Sequence, residues 1–429
     1  MFGRSLYYLL GSTFLLNVVV AEEMNRQALP EPLSLEAALK FIDYSHPDLG
    51  LVNSDKLLAE AELASVASSN DVNISLNATA RWIEPPTVAP DQNNEDHRVS
   101  LYVNKNLYDF GRSSANLSSA ENLLKNKSFL YLNAKQNKYI KVMQRYFDVL
   151  LADYDFYRYN EEMAVTYIRY DKLKDKRELG QVSDLEVAEK YAEYQKIFRL
   201  RTYSQNQQRI KRSLLAQELN RPDDLPSTLV KPQLEQLKRT LPEVETLQQQ
   251  AKDNNLLLKS LKASVQAEEQ KVTAARSSDN PVLSAQIETH AYEREVASSD
   301  AWRAGITLNV PLWTGGRTDA KVARQTAELN RAREKLHLNE MKILHRVLEL
   351  RLKLERLKIQ RDEMKGLVEY RELYLDRSRA LYELEVQTDL GYSMVQFTAA
   401  EKLAIATDFE IALTWTELDA LTGKLTDSL

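Results

Sequence analysis

The most restrictive feature of this 429-residue sequence is an internal repeat with a constant spacing. The stretch Leu-Tyr-Asp-Phe-Gly-Arg at 107–112 corresponds to Leu-Trp-Thr-Gly-Gly-Arg at 312–317, an offset of 205. The same offset relates Asp184 to Asp389, so no insertion or deletion separates the two pairs. A long packed helix requires such a fixed spacing, because an inserted residue would rotate every later side chain off its face. The sequence therefore predicts two structural repeats built on long helices.

The helices are predicted from uninterrupted spans of helix-forming residues. Residues 113–179 contain neither proline nor glycine. A helix of that length spans about 100 Å. Apolar side chains in the two long spans step by three and four, the spacing of a coiled coil. These positions are Met143, Phe147, Leu150, Tyr154 and Tyr157 in the first span and Val347, Leu350, Leu354 and Leu357 in the second. Each half thus predicts one long helix packed against two shorter helices that are stacked end to end.

The far end of each long helix carries a predicted turn. Gly180 suits a left-handed helix C-terminus, and Ser183 with Glu186 has the form of a capping box for the returning helix. In the second half Glu385 stands in place of the glycine, and Thr388 is the candidate N-cap. Because a residue with a Cβ adopts the left-handed conformation less readily than glycine, we expect the second turn to be less tight.

Four segments have the alternation of half-exposed β-strands. Apolar and polar residues alternate over about ten residues in each, the length that a tilted strand needs to cross a bilayer. The segments form two predicted hairpins, 72–108 and 282–312, with aromatic residues near the strand ends. A soluble sheet with one wet face remains an alternative. If the strands span a membrane, four of them cannot close a barrel, so several chains must contribute strands.

The amino terminus has the features of a secretory signal peptide. Arg4 precedes an apolar stretch over 6–20, and Ala21 stands at the −1 position of a cleavage site. Beyond it, no apolar run reaches the length of a membrane helix. Prolines cluster after residue 221, which indicates a linker between the repeats. We therefore expect a signal peptide over 1–21, a first repeat over 22–221, a Pro-rich linker over 222–242 and a second repeat over 243–425.

Composition excludes several classes of function. The absence of cysteine excludes disulfides, thiolate nucleophiles and cysteine-based metal sites. The net charge of −5 argues against nucleic-acid binding. Five scattered histidines form no HExxH motif, and neither a Walker sequence nor a GxSxG motif is present. We therefore expect no enzyme activity, no cofactor and no metal site.

The combined pattern resembles the TolC-type outer-membrane efflux protein family over about residues 33–425. The most specific matches are the strand-to-helix junctions at 106–112 and 310–317, and the opening helix from Ser34 is also similar. The resemblance implies a mainly α fold: an antiparallel α-helical coiled-coil tunnel with four transmembrane β-strands per chain. Three chains would form a 12-stranded β-barrel in the outer membrane above a tunnel that crosses the periplasm.

The resemblance also implies a passive exit duct for efflux or type I secretion. The Tyr-Asp-Phe-Gly-Arg motif of the first junction slightly favours type I secretion. The expected partners are two further copies of the chain, outer-membrane lipid, a periplasmic adaptor and, through that adaptor, an inner-membrane pump. The rival function is a soluble periplasmic coiled-coil adaptor, which would explain the helices but not two equivalent pairs of amphipathic strands.

Three groups of candidate functional residues follow. The strand-to-helix junctions comprise Leu107, Tyr108, Asp109, Gly111, Arg112, Pro311, Leu312, Trp313, Gly315, Gly316 and Arg317. The periplasmic turns, which form the candidate gate, comprise Gly180, Ser183, Asp184, Glu186, Glu385, Thr388 and Asp389. The interfacial aromatics are Trp82 and Trp302.

Some members of the family carry acidic rings after the second turn, and this chain departs from that pattern. It has Gly391 and Met394 at the corresponding positions. Glu383, Glu385 and Asp389 lie nearby and either supply negative charge to the mouth or belong to a solvated helix end.

Overall fold

The structure is a computed structural model that describes residues 28–42, 45–294, 300–386 and 389–425. The predicted signal peptide lies outside these residues. The described α-helices are α1 (Leu35–Lys40), α2 (Pro47–Ser68), α3 (Arg112–Glu178), α4 (Asp184–Glu218), α5 (Val244–Asn254), α6 (Leu256–Arg276), α7 (Arg317–Glu383) and α8 (Leu390–Leu421). The described strands are β1 (Asn73–Thr79), β2 (Arg98–Tyr108), β3 (Val282–Tyr292) and β4 (Trp302–Asn309), and short 3-10 helices span Glu235–Lys238 and Ser277–Asp279.

The two long helices confirm the predicted repeat. Both α3 and α7 contain 67 residues, and the offset of 205 relates their first residues as well as their last. A helix of this length spans about 100 Å. In the described part of the chain, no helix combines the length and the apolar character that a membrane-crossing helix requires.

Each long helix packs against two shorter helices, as predicted. Helices α2 and α4 both contact α3, and α6 and α8 both contact α7. The shorter helices are stacked end to end, because His46 Nε2 at the start of α2 lies 3.2 Å from the carbonyl oxygen of Gln217 near the end of α4. At the equivalent place in the second half, Asn255 Nδ2 donates to the carbonyl oxygen of Leu421 over 3.1 Å.

The predicted coiled-coil positions are buried, with one exception. Val347, Leu350, Leu354 and Leu357 are all buried, as are Met143, Phe147 and Leu150. Tyr154 is partly buried, whereas Tyr157 is 57% exposed in the single chain. The apolar seam of α3 ends one step earlier than the spacing indicates, because spacing alone cannot show where a partner helix stops covering a face.

The two repeats share one core. Helix α3 packs not only against its own repeat but also against α6 and α8. Phe147 of α3 stacks on Phe409 of α8, with ring centroids 4.1 Å apart. The hydroxyl of Tyr146 lies 2.6 Å from the carbonyl oxygen of Val230, and burial raises the pKa of Tyr146 to about 12. Contacts between sequence-distant helices therefore bind the halves into one layer.

The predicted Pro-rich linker is held against the rest of the chain by hydrogen bonds. Leu229 pairs with Leu33 through a parallel β-bridge. Arg351 Nε donates to the carbonyl oxygen of Pro242 over 3.1 Å, and Lys358 Nζ donates to that of Arg239 over 3.0 Å. Side chains of α7 therefore satisfy backbone carbonyl groups of the segment that connects the repeats.

The strands form a single antiparallel sheet in the order β1-β2-β3-β4. The β2–β3 pairing joins the two predicted hairpins across the repeats. Strands β1 and β4 contain 7 and 8 residues, fewer than the predicted ten. Trp82 lies beyond β1 in an isolated bridge with Glu95. Strand β4 stops before Pro311, which has no N–H group to donate to a neighbouring strand.

One face of the sheet is apolar and exposed. Ile74, Leu76, Ile306 and Leu308 are between 58% and 71% exposed. The opposite face is polar: Glu288 lies 3.3 Å from the ring of His290, which in turn lies 2.8 Å from the hydroxyl of the buried Ser100. A continuous exposed apolar face on a sheet indicates a surface that another apolar medium covers.

Candidate functional site

The first strand-to-helix junction is organised by Asp109. Its carboxylate is largely buried and accepts a 2.8 Å hydrogen bond from the backbone N–H of Ser113, as well as one from the hydroxyl of that residue. Arg112 Nε lies 3.8 Å from the same carboxylate. Phe110 and Gly111 both have positive φ angles, 54° and 95°, so the chain leaves β2 and enters α3 within two residues. The carboxylate therefore caps the first turn of α3. Its negative charge also interacts favourably with the positive end of the α3 helix dipole.

The second junction makes the same change of direction with different residues. Gly315 and Gly316 have φ angles of 64° and 76° and precede α7. Thr314 stands where the first junction has the aspartate, and its carbonyl oxygen accepts from the N–H of Arg317 over 3.3 Å. The left-handed conformation of both residues explains the paired glycines here. The first junction places Phe110 in that conformation instead, which the sequence did not indicate.

Exposed aromatic and apolar side chains border both ends of the apolar sheet face. At the helix end, Tyr108 packs edge-on against Phe110, with centroids 4.7 Å apart, and Leu107 is exposed. Leu312 and Trp313 are 93% and 89% exposed. At the opposite end lie Trp82 and Trp302, also exposed. Aromatic residues on both sides of an apolar band are typical of the two interfaces of a bilayer.

The turn between α3 and α4 is tight and doubly capped. Gly180 has a φ angle of 71°, and its N–H donates to the carbonyl oxygen of Arg177 over 2.8 Å. The predicted capping box is present: Ser183 N donates to Glu186 Oε2 over 2.8 Å, and Glu186 N donates to Ser183 Oγ. The hydrogen bonds from the Ser183 backbone and hydroxyl lower the pKa of Glu186. Arg177 Nε forms an ion pair with Asp184 Oδ1 at 2.5 Å.

The turn after α7 is described up to Val386 and again from Asp389. Glu385 has a φ angle of 59°, and the N–H groups of Glu385 and Val386 donate to the carbonyl oxygens of Tyr382 and Leu381. This is the same hydrogen-bond pattern as at Gly180, so α7 ends in the same way as α3, while residues 387 and 388 of the predicted less tight turn lie outside the described residues. The C-terminal hydrogen bonds hold Glu385 in the left-handed conformation despite its Cβ. Thr388 lies outside the described residues, and the N-cap of α8 is Asp389, which makes no side-chain capping bond.

The first half of α8 is fastened to α3 by polar contacts. Arg169 Nη2 lies 3.3 Å from Asp389 Oδ1, and both side chains are partly exposed. Further pairs follow along the same seam: Thr398 donates to Glu161 over 2.9 Å, and Lys402 lies 2.7 Å from Asp155. These contacts join residues that are more than 200 positions apart in the sequence.

Glu161 is the most perturbed carboxylate in this seam. Burial raises its pKa, the hydrogen bond from Thr398 lowers it, and the charge of Glu401 raises it again, with a net upward shift. The Thr398 hydroxyl therefore stabilises the charged form of Glu161, which burial and the charge of Glu401 disfavour.

A close packing contact accompanies the polar ones. Gly391, the second residue of α8, lies against Val165 of α3. A Cβ atom added at Gly391 would lie 2.4 Å from Val165 Cγ2 and 3.2 Å from Cγ1. A Cβ at this position would therefore require either a shift of α8 or a change of the Val165 rotamer. The sequence singled out Gly391 only as a missing acid, and the signal for its packing role was a glycine inside a predicted helix.

The acids near the second turn are not equivalent. Glu383 and Glu385 are exposed, whereas Asp389 is half-buried and paired with Arg169. The charge of Asp389 is thus already balanced by a cation within the same chain. Of the three acids, Glu383 and Glu385 have the exposure that a charged mouth requires.

One cluster with metal-ligand residue types lies away from these turns. Donor atoms of His46, Asp48 and Glu218 lie within 4.8 Å of one another. The ammonium group of Lys138, which is buried, lies 2.7 Å from Glu218, and that of Lys141 lies 2.8 Å from its other oxygen. The two lysines already supply the positive charge that this carboxylate needs, and the cluster closes the junction between α2, α3 and α4.

Comparison with known proteins places this architecture among outer-membrane channels. Residues 247–424, most of the second repeat, match the family model described as outer membrane efflux protein. No curated protein sequence matches the chain.

Three solved structures resemble the whole fold. The Campylobacter jejuni CmeC outer membrane channel superimposes with a TM-score of 0.75 at 13% identity, over 91% of this chain and 85% of that one. The Vibrio cholerae outer membrane protein VceC gives 0.72 at 14% identity, over 91% and 96%. The open state of the Neisseria gonorrhoeae MtrE outer membrane channel gives 0.72 at 16% identity, over 91% and 89%. The fold predicted from the sequence is therefore confirmed.

Proposed function

We propose that this chain, whose fold is that of the TolC-type channels and whose second half matches the outer membrane efflux protein family, is an outer-membrane channel-tunnel. It provides a passive exit duct for efflux or type I secretion. The observation that carries the proposal is the four-stranded sheet with an exposed apolar face, set on two helices of 67 residues each.

The sheet requires other copies of the chain if it lies in lipid. Its outer strands β1 and β4 pair on one side only within the described residues. Unpaired backbone groups are not tolerated in a bilayer, so the edges must meet the edges of neighbouring chains. Three copies give twelve strands, and a barrel of twelve strands leaves room for a lumen. Two copies give eight strands, and side chains would fill the interior of a barrel of that size. We therefore propose a homotrimer.

The helices supply the tunnel and its gate. Their length of about 100 Å suits a duct that crosses the periplasm. At the far end, the pairs Arg169–Asp389 and Asp155–Lys402 hold α8 against α3. We propose that the tip opens when α8 moves away from α3 and these contacts break. A periplasmic adaptor docks on the helices and connects them to an inner-membrane pump, which supplies energy and selects the cargo.

The decisive experiment compares two neighbouring positions on opposite faces of β4. Ile306 lies on the apolar face and Thr307 on the polar face, and both are exposed in the single chain. In a barrel, Ile306→Lys places a charge toward lipid at mid-strand, which costs about 2–4 kcal/mol, whereas Thr307→Lys faces the lumen. We expect I306K to reduce the amount of trimer in the outer-membrane fraction sharply and T307K to leave it unchanged.

The rival periplasmic adaptor predicts a different result. In a soluble sheet both positions face water, so both lysines would be harmless and the wild-type protein would leave the membrane in carbonate or high salt. Carbonate-resistant wild-type protein with the mass of three chains, together with the selective defect of I306K, would support the proposal. Equal behaviour of the two variants would overturn it.

A further inference from the structure

A cavity of about 350 Å³ lies between three helices directly below the sheet. Polar side chains line it from α3, from α6 and the 3-10 turn after it, and from α7. They are Arg112, Asn116, Lys271, Ser278, Lys321 and Gln325. Because both repeats contribute to the cavity, it exists only in the folded chain.

The charge of the cavity is positive. Three of its side chains are cations and none is an acid. Two carboxylates lie behind the lining: Asp109 is 3.8 Å from Arg112, and Glu268 is 2.8 Å from Lys271. Lys321 forms no ion pair with any residue in the described part of the chain. Among the lining side chains and the carboxylates paired with them, three cations stand against two carboxylates, and the positive ends of α3 and α7 add to the positive charge. Asp279, which follows Ser278, accepts a hydrogen bond from Thr318 and is not part of the lining.

The geometry of the lining favours a compact anion. Gln325 Nε2 donates to Glu268 Oε2 over 2.8 Å, so Glu268 holds both the amide and Lys271 at the rim. Ala274 and Ala275 form part of the wall and leave the centre open. A guanidinium, two ammonium groups and a hydroxyl line the same space, and donors of these types match the acceptor oxygens of phosphate.

The structure assigns this cavity as a phosphate-binding site at the junction of sheet and helices. Its ligand is a phosphate monoanion or dianion, carried either by a lipid headgroup or by a soluble solute. Arg112 lies four residues beyond the end of β2, so a sheet embedded in a bilayer would place the cavity near the headgroup layer, which extends about 5–8 Å beyond the hydrocarbon. The soluble source does not depend on the proposed membrane location.

The test compares two lysines of α7. Lys321→Gln removes the unpaired cation of the cavity, and Lys342→Gln removes an exposed lysine from the same helix roughly 30 Å away. Binding of inorganic phosphate to the detergent-solubilised full-length protein is measured by calorimetry at constant ionic strength. In parallel, protein reconstituted with phosphatidylglycerol is analysed by native mass spectrometry for retained lipid.

We expect K321Q to weaken binding about tenfold or more and K342Q to leave it unchanged. Saturable binding of inorganic phosphate without retained lipid would assign the site to a soluble anion. Retained phosphatidylglycerol that inorganic phosphate displaces, and that K321Q loses, would assign it to a headgroup. Absence of both, or equal binding by K321Q and the wild type, would overturn the assignment.

Discussion

Substitution of Gly391 by alanine tests whether close packing of α8 on α3 holds the tip closed. The added Cβ would lie 2.4 Å from Val165 Cγ2, whereas carbon atoms in contact prefer about 3.5–4.0 Å. The start of α8 must therefore move away from α3 by roughly 1 Å or more, or Val165 must change its rotamer. The movement lies next to the Arg169–Asp389 pair, which would lengthen with it.

The magnitude follows from two opposed effects. Overpacking of a filled site costs about 1–3 kcal/mol. Replacing glycine by alanine inside a helix gains up to about 1 kcal/mol, and less at the second residue of α8. Gly391→Ala should therefore destabilise the closed tip by about 1–2 kcal/mol, which lowers the ratio of closed to open tips by roughly 5–30-fold. We therefore expect a higher open probability, read as a higher mean conductance of single channels in planar bilayers.

Two further variants make the test specific. Val165→Ala removes the methyl groups that the new Cβ meets, so the double variant G391A/V165A should return to wild-type conductance. Gly366→Ala is the matched control, because no heavy atom outside its own helix lies within 4 Å of a Cβ at that position of α7. Unchanged conductance in a folded G391A protein, or failure of V165A to restore the closed state, would refute the role of this contact.

Three other substitutions give independent checks. Asp389→Asn breaks the half-exposed pair with Arg169 at a cost of at most about 1 kcal/mol, and single-channel recordings should show more frequent opening; unchanged cation block would count against an acidic ring that includes Asp389. Burial disfavours the charge of Glu218, but Lys138 and a second lysine outweigh it and lower the pKa of Glu218. Glu218→Gln should therefore cost about 3 kcal/mol of unfolding free energy above pH 4.5, and the difference from wild type should vanish as the pH falls through the folded-state pKa, as denaturant titrations at several pH values would show. Asp109→Ala removes the cap of α3 and should lower stability by about 0.5–2 kcal/mol in thermal denaturation; an unchanged melting temperature would exclude the cap as a stabilising element.

Where the sequence carried local signals, prediction from it was accurate. The ends of α3 and α7 follow from the glycines that precede them and from the capping residues that follow, and the constant offset was reproduced at both ends. The resemblance to the TolC-type family, which was stated from the two junction motifs and the repeat, is confirmed. A local preference was overridden at Glu385, where the hydrogen bonds that end α7 hold a residue with a Cβ in the left-handed conformation.

The candidate site was only partly predictable. Its turns and junctions were named from the sequence, and their functional roles stay predictions. Val165, Arg169 and the packing role of Gly391 were missed, because each acts through a residue on another helix. No spacing rule relates α3 to α8, since the two helices belong to different repeats.

The sequence by itself determined the helix lengths, the strand alternation and the glycine-bearing junctions, because each depends on residues within a few positions of one another. It also determined the repeat, which follows directly from the constant offset of 205. Only the tertiary structure decided that β2 pairs with β3, that α8 packs on α3, and that three helices enclose a cationic cavity. The β2–β3 and α3–α8 contacts join residues that are more than 100 positions apart. They depend on how whole helix faces fit together, and that fit is a property of the assembled chain.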